Sequence, residues 1–259
     1  MVDNLARPWI GLTLVPESPS TNADLVSAAA TGAAAPWSVL VAEHQSAGRG
    51  RLGRTWTTVP GAALTFSALV PAPPAPGWVP LVTALALAET VEERYAVRPA
   101  LKWPNDLLAP DGSPAAGRKV AGILCEMTSL PGRPDRGVVI GVGLNVDQDR
   151  SELPVETATS LREMTGGHPC GLSRETLLLA VLDRLATRVQ DWVRDPAWVR
   201  AAYRSSCSTL GRKIRVDLGA GDVRTGTAVR IDDDGRLVVD LGGTERALAA
   251  GDVTHVLPT

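Results

Sequence analysis

Short apolar runs and helically spaced apolar positions share the first two thirds of the chain. Short runs bounded by Gly, Pro or polar residues are typical of strands. Such runs occur at 38–43, 63–70, 100–109, 119–128 and 137–146. Pro104 is expected to stop the third of these strands, because proline cannot donate a hydrogen bond to a β-ladder. The last two runs flank a Gly/Pro turn and predict a β-hairpin.

Apolar residues three or four positions apart predict the helices, and capping residues mark their ends. The helical segments are 18–32, 79–95, 173–193 and 197–205. The first has Ser20, Thr21 and Asn22 at its start, Asp24 in its first turn and Gly32 at its end. Ser173 is the expected cap of the third segment, which has the strongest helical pattern.

These strands and helices are mixed without a regular βαβ alternation, which favours an α+β fold. We expect a mixed or antiparallel sheet with helices packed on it. After about Leu210 the pattern changes to short alternating runs with turns at GAGD, DDDG and GG. This predicts a small antiparallel β-barrel of roughly fifty residues. We therefore place a boundary near 209–211 and divide the chain into domains 1–209 and 210–259.

Composition and charge exclude several classes of protein. The 259 residues include 26 Lys and Arg against 28 Asp and Glu, a net charge of −2. Proteins that bind bulk nucleic acid usually carry a positive excess. Three widely spaced cysteines argue against a disulfide scaffold and a CxxC metal site. No signal peptide or long apolar stretch is evident, so we expect a cytoplasmic protein that does not contact membranes.

The segment GRGRLGRTW, residues 48–56, places Arg49, Arg51 and Arg54 among glycines. Glycine amides can approach an anion closely, and the arginine fork matches carboxylate and phosphate oxygens. We therefore predict an anion site that is disordered when empty and orders around a multiply charged ligand. The alternative is a solvated surface loop.

Three further segments place polar side chains at or near the ends of strands. KWPND supplies Lys102, Asn105 and Asp106, GRKVAG supplies Lys119, and GVGLNV supplies Asn145. Each segment has a simpler structural explanation. The first is a proline turn, the second a solvated strand edge, and the third a strand whose glycines allow close packing.

In this order and spacing, STN, EHQSAGRGRLGRTW, KWPND, GRKVAGIL and GVGLN resemble the motifs of the biotin protein ligases. The resemblance extends from about residue 18 to 146, and the C-terminal barrel resembles the family's SH3-like C-terminal domain. It implies ATP-dependent attachment of biotin to a lysine of the biotin carboxyl carrier domain of acetyl- or acyl-CoA carboxylases. The family does this through biotinyl-5′-AMP, releasing pyrophosphate and then AMP.

The resemblance also implies roles for individual residues. The residues implied to bind biotin are Ser20, Thr21, Asn22, Gln45, Arg49, Gly50, Arg51 and Lys119. Those implied to bind ATP or the adenylate are Arg51, Arg54, Trp56, Asn105, Asp106, Lys119 and Asn145. Among them Trp56 stacks near the adenine and Asn145 contacts its edge. Lys119, with Arg49 and Arg51, is the expected catalytic group, since cations lower the barrier where a carboxylate meets a triphosphate.

The resemblance has consequences for metal, DNA and the neighbouring histidine. Mg²⁺ is expected to arrive with ATP and to be held largely by phosphates, because no His/Cys/Asp cluster has ligand spacing. His44 is expected to support the loop and not to act as a general base. Some family members carry an N-terminal winged helix-turn-helix. Only about seventeen residues precede STN here, so we expect a ligase that does not bind DNA.

Two alternative functions stay open. A lipoate–protein ligase shares the fold and the adenylate chemistry, although GRGRLGR and KWPND favour biotin. A nucleic-acid-binding regulator would use the Gly-Arg segment and the barrel as a binding surface. The near-neutral net charge and the small number of aromatic residues, ten in the whole chain, argue against this second alternative.

Overall fold

The computed structural model describes residues 5–167, 171–217, 222–249 and 252–255. The strands are β1 (Gly11–Ser18), β2 (Ser38–Gln45), β3 (Ala63–Pro71), β4 (Ala100–Lys102), β5 (Asp106–Leu108), β6 (Lys119–Ser129), β7 (Arg136–Asn145), β8 (Lys213–Asp217), β9 (Val223–Ile231), β10 (Leu237–Asp240), β11 (Glu245–Leu248) and β12 (Asp252–His255). The α-helices are α1 (Thr21–Thr31), α2 (Val79–Tyr95), α3 (Leu161–Met164), α4 (Arg174–Arg194) and α5 (Pro196–Ser206).

The first part of the chain forms one seven-stranded sheet in the order β1-β2-β3-β7-β6-β5-β4. β1 runs parallel to β2, and the other neighbours are antiparallel. The predicted hairpin is β6–β7, which pairs from Ala121 with Leu144 to Ser129 with Arg136. A mixed sheet with helices packed on it confirms the predicted α+β class.

The structure differs from the sequence-based expectation at two places in this sheet. β1 was not predicted, because GLTLVPES contains Pro16 and lies at the sheet edge, where few of its side chains are buried. In segment 100–109 one strand stopped by Pro104 was predicted; β4 does end before Pro104, and an unpredicted second strand, β5, follows it. β4 and β5 pair with each other across a turn that contains the cis Trp103–Pro104 bond. Pro104 has no N–H, so the ladder cannot pass through it.

Both faces of the sheet are apolar, and different helices cover them. On β3, Phe66 and Ala68 belong to a large core with α2 and α4, whereas Leu69 packs with Leu25 and Ala29 of α1. Successive strand residues point to opposite faces, so α1 lies on the face opposite α2 and α4. The single helix α1 leaves part of its face uncovered, and the cleft described below occupies that part.

The predicted helix caps are confirmed. Ser20 precedes α1 in an extended conformation and its side chain accepts from the amide of Ala23 at 3.4 Å. Gly32 ends α1 with φ of 81°, a left-handed conformation that glycine adopts at low cost. Ser173 caps α4 by accepting from the amide of Thr176 at 3.1 Å. These local signals fix where the helices begin, and they place Thr21 and Asn22 in the first turn of α1.

The C-terminal part is a small antiparallel sheet in the order β11-β10-β9-β8-β12. Four of its strands correspond to the predicted alternating runs, and β12 is an additional strand paired with β8. The predicted SH3-like architecture is confirmed. The predicted division at 209–211 falls between α5 and β8 and stays a prediction.

The turn between β9 and β10, residues 232–235, packs against a 3₁₀ turn formed by Pro76–Trp78. The indole N–H of Trp78 donates to the carbonyl of Asp233 at 3.0 Å. Gly77 approaches the same turn so closely that a Cβ there would overlap the carbonyl oxygen of Asp234. The two parts of the chain are therefore held together by close backbone packing as well as by hydrogen bonds.

Within the described residues, no helix is both long enough and apolar enough to cross a bilayer.

Gly77→Ala is expected to destabilise the protein by about 1–3 kcal/mol, because backbone atoms of both turns must move to admit the Cβ. Urea unfolding measures this loss as a lower midpoint. Gly11→Ala is the matched control, since nothing lies within 4 Å of a Cβ at Gly11. Equal midpoints for the two variants would contradict the tight packing of these turns.

Candidate active site

The part of the sheet that α1 leaves uncovered carries a cleft of about 900 Å³, including the solvent at its mouth. Its walls come from the start of α1, the end of β2, the segment 48–56 and the β4–β5 turn. Its floor comes from β3, β6 and β7. The predicted site residues lie on separate elements along the first 145 residues, and this sheet topology brings most of them together.

Glycines form the middle of the floor. Gly122 of β6 pairs with Gly143 of β7, and Gly141 lies two residues before Gly143 on the same strand. A Cβ at Gly141 would overlap Oδ1 of Asn22, and one at Gly143 would overlap the indole of Trp56. The glycines of GVGLN therefore allow polar and aromatic side chains to lie directly against the backbone of the sheet.

One end of the cleft is lined by a network of uncharged polar groups. The amide and hydroxyl of Thr21 donate to Oε1 of Gln45 at 2.8 and 3.1 Å. Ser67 Oγ lies 2.8 Å from both Thr21 Oγ1 and Asn22 Oδ1. Nδ2 of Asn22 donates to the carbonyl of Leu124 and to Glu126. The side chains of Thr21, Asn22, Gln45 and Ser67 are buried and held in fixed orientations. They therefore present donors and acceptors at defined positions.

The segment 48–56 forms a short hairpin over the cleft. Arg49 bridges to Thr55, the amide of Trp56 donates to the carbonyl of Gly48 at 2.9 Å, and the amide of Gly50 donates to the carbonyl of Arg54 at 2.7 Å. A Cβ at Gly48 would overlap the carbonyl oxygen of Trp56. The hairpin thus depends on glycine at position 48, and it presents its arginines to the cleft.

Trp56 lies against the glycine floor. A Cβ at Gly122 would come within 3.2 Å of its indole and one at Gly143 within 2.2 Å, and its Nε1 is buried without a hydrogen-bond partner. The ammonium of Lys119 lies 5.4 Å from the centre of the indole ring, within the range of a cation–π interaction. An aromatic surface and a cation are therefore adjacent in the cleft.

The cleft is strongly positive in a chain that is slightly negative overall. Among the described residues that line it, five side chains are cationic and one is a carboxylate: Arg49, Arg51, Arg54, Lys102 and Lys119 against Asp106. Lys119 Nζ lies 2.7 Å from Oδ1 of Asp106, and Arg51 donates to Oδ1 of Asn105 at 3.3 Å. The charge excess is the electrostatic condition for binding a multiply charged anion.

A carboxylate beside the cleft holds the arginine hairpin. Arg49 donates to Oε2 of Glu126 at 3.1 Å, and the same carboxylate accepts from Asn22.

Desolvation raises the pKa of the neighbouring Cys125, the Glu126 carboxylate raises it further, and Arg51 opposes this rise. The Cys125 thiol therefore stays protonated at neutral pH and is a poor nucleophile.

The structure places Asn145 and His44 outside the lining of the cleft. Asn145 is buried, donates Nδ2 to the carbonyl of Thr159 at 2.8 Å and accepts from Nε2 of Gln148 at 3.1 Å. The predicted contact of Asn145 with an adenine edge would require these bonds to be exchanged. His44 lies on β2 opposite Glu17 of β1. Its predicted supporting role stays a prediction.

Sequence reasoning missed Ser67 and Glu126. Ser67 interrupts the apolar run ALTFSALV and is completely buried. A polar residue in a fully buried strand needs a partner, which is a signal that the sequence contains. Glu126 is a carboxylate in the apolar strand KVAGILCEMTS, a signal of the same kind. Neither partner, however, can be identified from spacing along the chain.

Comparison with known families identifies both parts of the chain. Residues 18–145 match the Biotin/lipoate A/B protein ligase family, and residues 209–256 match the Biotin protein ligase C terminal domain. The biotin–[acetyl-CoA-carboxylase] ligase of Mycobacterium tuberculosis is 40% identical over 96% of this chain and 90% of that protein. The chain belongs to the biotin protein ligase family. The prediction from the motifs is confirmed, and the protein is an enzyme of this ligase family.

Other biotin protein ligases have the same fold. That of Aquifex aeolicus, solved in complex with biotin and ATP, has a TM-score of 0.77 at 28% identity and covers 96% of this chain and 99% of its own. That of Leishmania major, in complex with biotinyl-5-AMP, has a TM-score of 0.58 at 25% identity, covering 98% and 100%. The bifunctional ligase/repressor BirA of Escherichia coli is 29% identical over 83% of this chain and 65% of that protein.

Gly48→Ala is expected to open the arginine hairpin, because its Cβ and the carbonyl oxygen of Trp56 cannot occupy the same space. Trypsin should then cleave after Arg49 and Arg51 several times faster than in the unaltered protein, as followed by mass spectrometry. Leu52→Ala is the control, since Leu52 is an exposed residue of the same hairpin and its side chain makes none of the closing bonds. Unchanged cleavage of Gly48→Ala would contradict the closed hairpin.

Proposed function

We propose that this ligase joins biotin to a lysine of a biotin carboxyl carrier domain in two ATP-dependent steps. In the first, a carboxylate oxygen of biotin bonds to the α-phosphorus of ATP. The bond from that phosphorus to the bridging oxygen of the β-phosphate breaks, and pyrophosphate leaves. In the second, the carrier amine bonds to the carbonyl carbon of biotinyl-5′-AMP, loses a proton, and AMP leaves. The observation that carries this proposal is a single cleft with an uncharged polar end and a cationic end.

The polar end suits the ureido ring of biotin. A urea presents two N–H donors and one carbonyl acceptor, and it needs a mixture of hydroxyl and amide groups. Ser20, Thr21, Asn22 and Gln45 provide such a mixture, and all four line the cleft. Thr21 and Gln45 bond to each other, and Ser67 bonds to Thr21 and Asn22. These bonds orient the three side chains before the ligand arrives, which lowers the entropy cost of binding. The complex of the Aquifex aeolicus enzyme with biotin and ATP supports both ligands.

The cationic end suits the step in which two anions must meet. The biotin carboxylate and the triphosphate repel each other, so the barrier falls where fixed positive charge faces both. Lys119, Arg49 and Arg51 are the catalytic groups of this proposal. Lys119 is anchored at the start of β6 and its ammonium is held by Asp106 between the indole and the β4–β5 turn. Arg54 completes the positive wall.

The adenine is proposed to stack on Trp56. The indole already lies on the glycine floor beside Lys119, so a base stacked there would bring its phosphates toward the cations. Asn105 and Asp106 face the same space from the β4–β5 turn. Asn145 reaches the base only after leaving its partners Thr159 and Gln148.

Mg²⁺ is proposed to enter with ATP. Among the described residues, no group of three His, Cys, Asp or Glu side chains is arranged to hold a metal ion. Asp106 is the carboxylate that lines the cleft, and an oxygen ligand of this kind suits a cation that keeps phosphates and waters as its other ligands. When bound, the ion would neutralise charge on the phosphates, while Asp106 also orients Lys119.

The arginine hairpin is proposed to close further over biotin and the phosphates. It already forms a hairpin, and its three arginines line a positive cleft whose charge a polyanion would neutralise. Tryptic cleavage after Arg49 and Arg51 should become slower when biotin and ATP are added together. Cleavage that is unchanged by the two ligands would rule out this closure.

The second substrate is proposed to be the carrier domain of an acetyl- or acyl-CoA carboxylase, since the Mycobacterium tuberculosis relative is named for that acceptor. Its lysine must reach the mixed anhydride where the polar and cationic ends meet. Among the described residues, Cys125 and Cys207 are free thiols, which accords with a cytoplasmic setting.

The first test is ATP–pyrophosphate exchange with Mg²⁺ in the presence of biotin, of lipoate or of neither acid. Exchange is expected with biotin, and Lys119→Ala should lower its rate about 100-fold or more, because a charge at the reacting centre is lost. Lys213→Ala is the control, since Lys213 is exposed on β8. Exchange with lipoate alone would overturn the substrate. A nearly normal rate in Lys119→Ala would remove that residue from the catalytic groups.

Ser67→Ala is expected to weaken biotin binding about tenfold. The variant leaves Thr21 Oγ1 and Asn22 Oδ1 without their shared donor, and an unpaired buried acceptor costs about 1–3 kcal/mol. Isothermal titration of biotin without ATP measures the affinity. Ser27→Ala is the control, because Ser27 lies exposed on the same helix that carries Thr21 and Asn22. An unchanged affinity would show that Ser67 does not orient the polar end.

A further inference from the structure

The β9–β10 turn reaches across from the C-terminal sheet and has a rigid shape of its own. Oδ1 of Asp232 accepts from the amides of Asp234 and Arg236 at 3.0 and 2.9 Å. The amide of Gly235 donates to the carbonyl of Asp232 at 3.1 Å. Burial acts to raise the pKa of Asp232, but the amide and guanidinium of Arg236 hold it below its ordinary value. The carboxylate is therefore charged at neutral pH and keeps the turn closed.

The β9–β10 turn accepts hydrogen bonds from two buried indoles in the first part of the chain. The N–H of Trp78 donates to the carbonyl of Asp233, and the N–H of Trp103 donates to the carbonyl of Gly235, both at 3.0 Å. The two tryptophans are 0% and 1% exposed. The two side chains are alike in chemistry and burial, but the residues that follow them differ. Trp78 immediately precedes helix α2, whereas Trp103 immediately precedes the residues of the β4–β5 turn that line the cleft.

The link between α5 and β8 holds Trp103 from a second side. The amide of Trp103 donates to Oγ1 of Thr209 at 3.1 Å, and Thr209 is completely buried. The amide of Ser208 donates to the carbonyl of Leu101 at 2.8 Å, and Cys207 forms a bridge with Leu101. Residues 207–209 therefore lie along the free edge of β4 and fix the backbone just before the cleft.

The three residues that follow Trp103 connect it to the catalytic groups, so holding Trp103 in place also restrains those groups. Pro104, Asn105 and Asp106 follow it in the β4–β5 turn and line the cleft. Asn105 accepts from Arg51, and Asp106 pairs with the ammonium of Lys119. A shift of the turn would move both contacts, and displacements of about 1 Å at a reacting centre can cost roughly 100-fold in rate.

We propose that Trp103 is a positioning residue for adenylation, through which the C-terminal sheet and the 207–209 link hold Asn105 and Asp106, and with them Lys119 and Arg51, at the phosphate end of the cleft. This proposal rests on the proposed function, since it concerns the adenylating step. It assigns the C-terminal sheet a part in the first half-reaction that requires no contact between that sheet and ATP.

The proposal makes an asymmetric prediction for the two ends of the cleft. The polar end is built from α1, β2, β3 and β6, and the hydrogen bonds of Thr21 and Asn22 do not involve the β4–β5 turn. Loosening Trp103 should therefore impair ATP use far more than biotin binding, most of whose polar contacts lie at the other end of the cleft. A residue that only contributes stability would affect both ends alike.

The experiment compares Trp103→Phe with Trp78→Phe in the full-length enzyme. Each variant keeps an aromatic ring and loses one indole N–H bond to the same turn, so both should lower the urea midpoint to a similar extent. We expect Trp103→Phe to raise the KM for ATP or lower kcat in biotin-dependent exchange by roughly tenfold. Its biotin affinity should stay within about twofold of the unaltered enzyme, and Trp78→Phe should have nearly normal kinetics.

Thr209→Val provides a second route if Trp103→Phe does not fold. It removes the acceptor of the Trp103 amide at nearly constant volume, and the same ATP-specific loss is expected. Normal kinetics in the folded Trp103 or Thr209 variant, or an equal kinetic loss in Trp78→Phe, would overturn the positioning role. Absence of biotin-dependent exchange in the unaltered enzyme would instead overturn the proposed function itself.

Discussion

The lack of a side chain at three glycine positions on one face of β6 and β7 is the constraint on which the site depends. Gly122, Gly141 and Gly143 leave the backbone of the sheet bare beside helix α1. Asn22 and Trp56 fill this space from opposite sides, one from the helix and one from the arginine hairpin. A single Cβ at Gly141 or Gly143 would displace one of them. The floor therefore determines where both the polar end and the aromatic surface of the cleft lie.

Charge separates the two ends of the cleft and argues against the nucleic-acid-binding alternative. A nucleic-acid platform would need a basic face, whereas the cations here converge on one cleft beside an uncharged hydrogen-bonding network. That combination accords with a ligand that is polar and neutral at one end and anionic at the other. Membership of the biotin protein ligase family gives this arrangement its chemistry.

Local signals made much of this molecule predictable, and distant contacts made the rest unpredictable. The caps Ser20, Gly32 and Ser173 act within one turn of helix, so the sequence alone places them. β1 escaped prediction because an edge strand with Pro16 needs little apolar pattern. The motifs identified most of the lining residues, but Ser67 and Glu126 acquire their roles only from partners on other elements. The bond from Trp103 to Gly235 spans 132 positions, and no spacing rule could anticipate it.

The concentration of positive charge has a consequence for how substrates find the site. Apart from the cleft's five cations and one carboxylate, the chain has 21 basic and 27 acidic residues. The rest of the molecule is therefore negative, and the lining of the cleft is positive. The negative part of the surface repels the phosphates of a nucleotide, whereas the cationic lining attracts them. The nucleotide is therefore favoured in the orientation that points its phosphates into the cleft. The attraction acts over a Debye length of roughly 8 Å at physiological ionic strength. Capture of the nucleotide is thus a short-range, salt-sensitive event, and orientation is selected before any hydrogen bond forms.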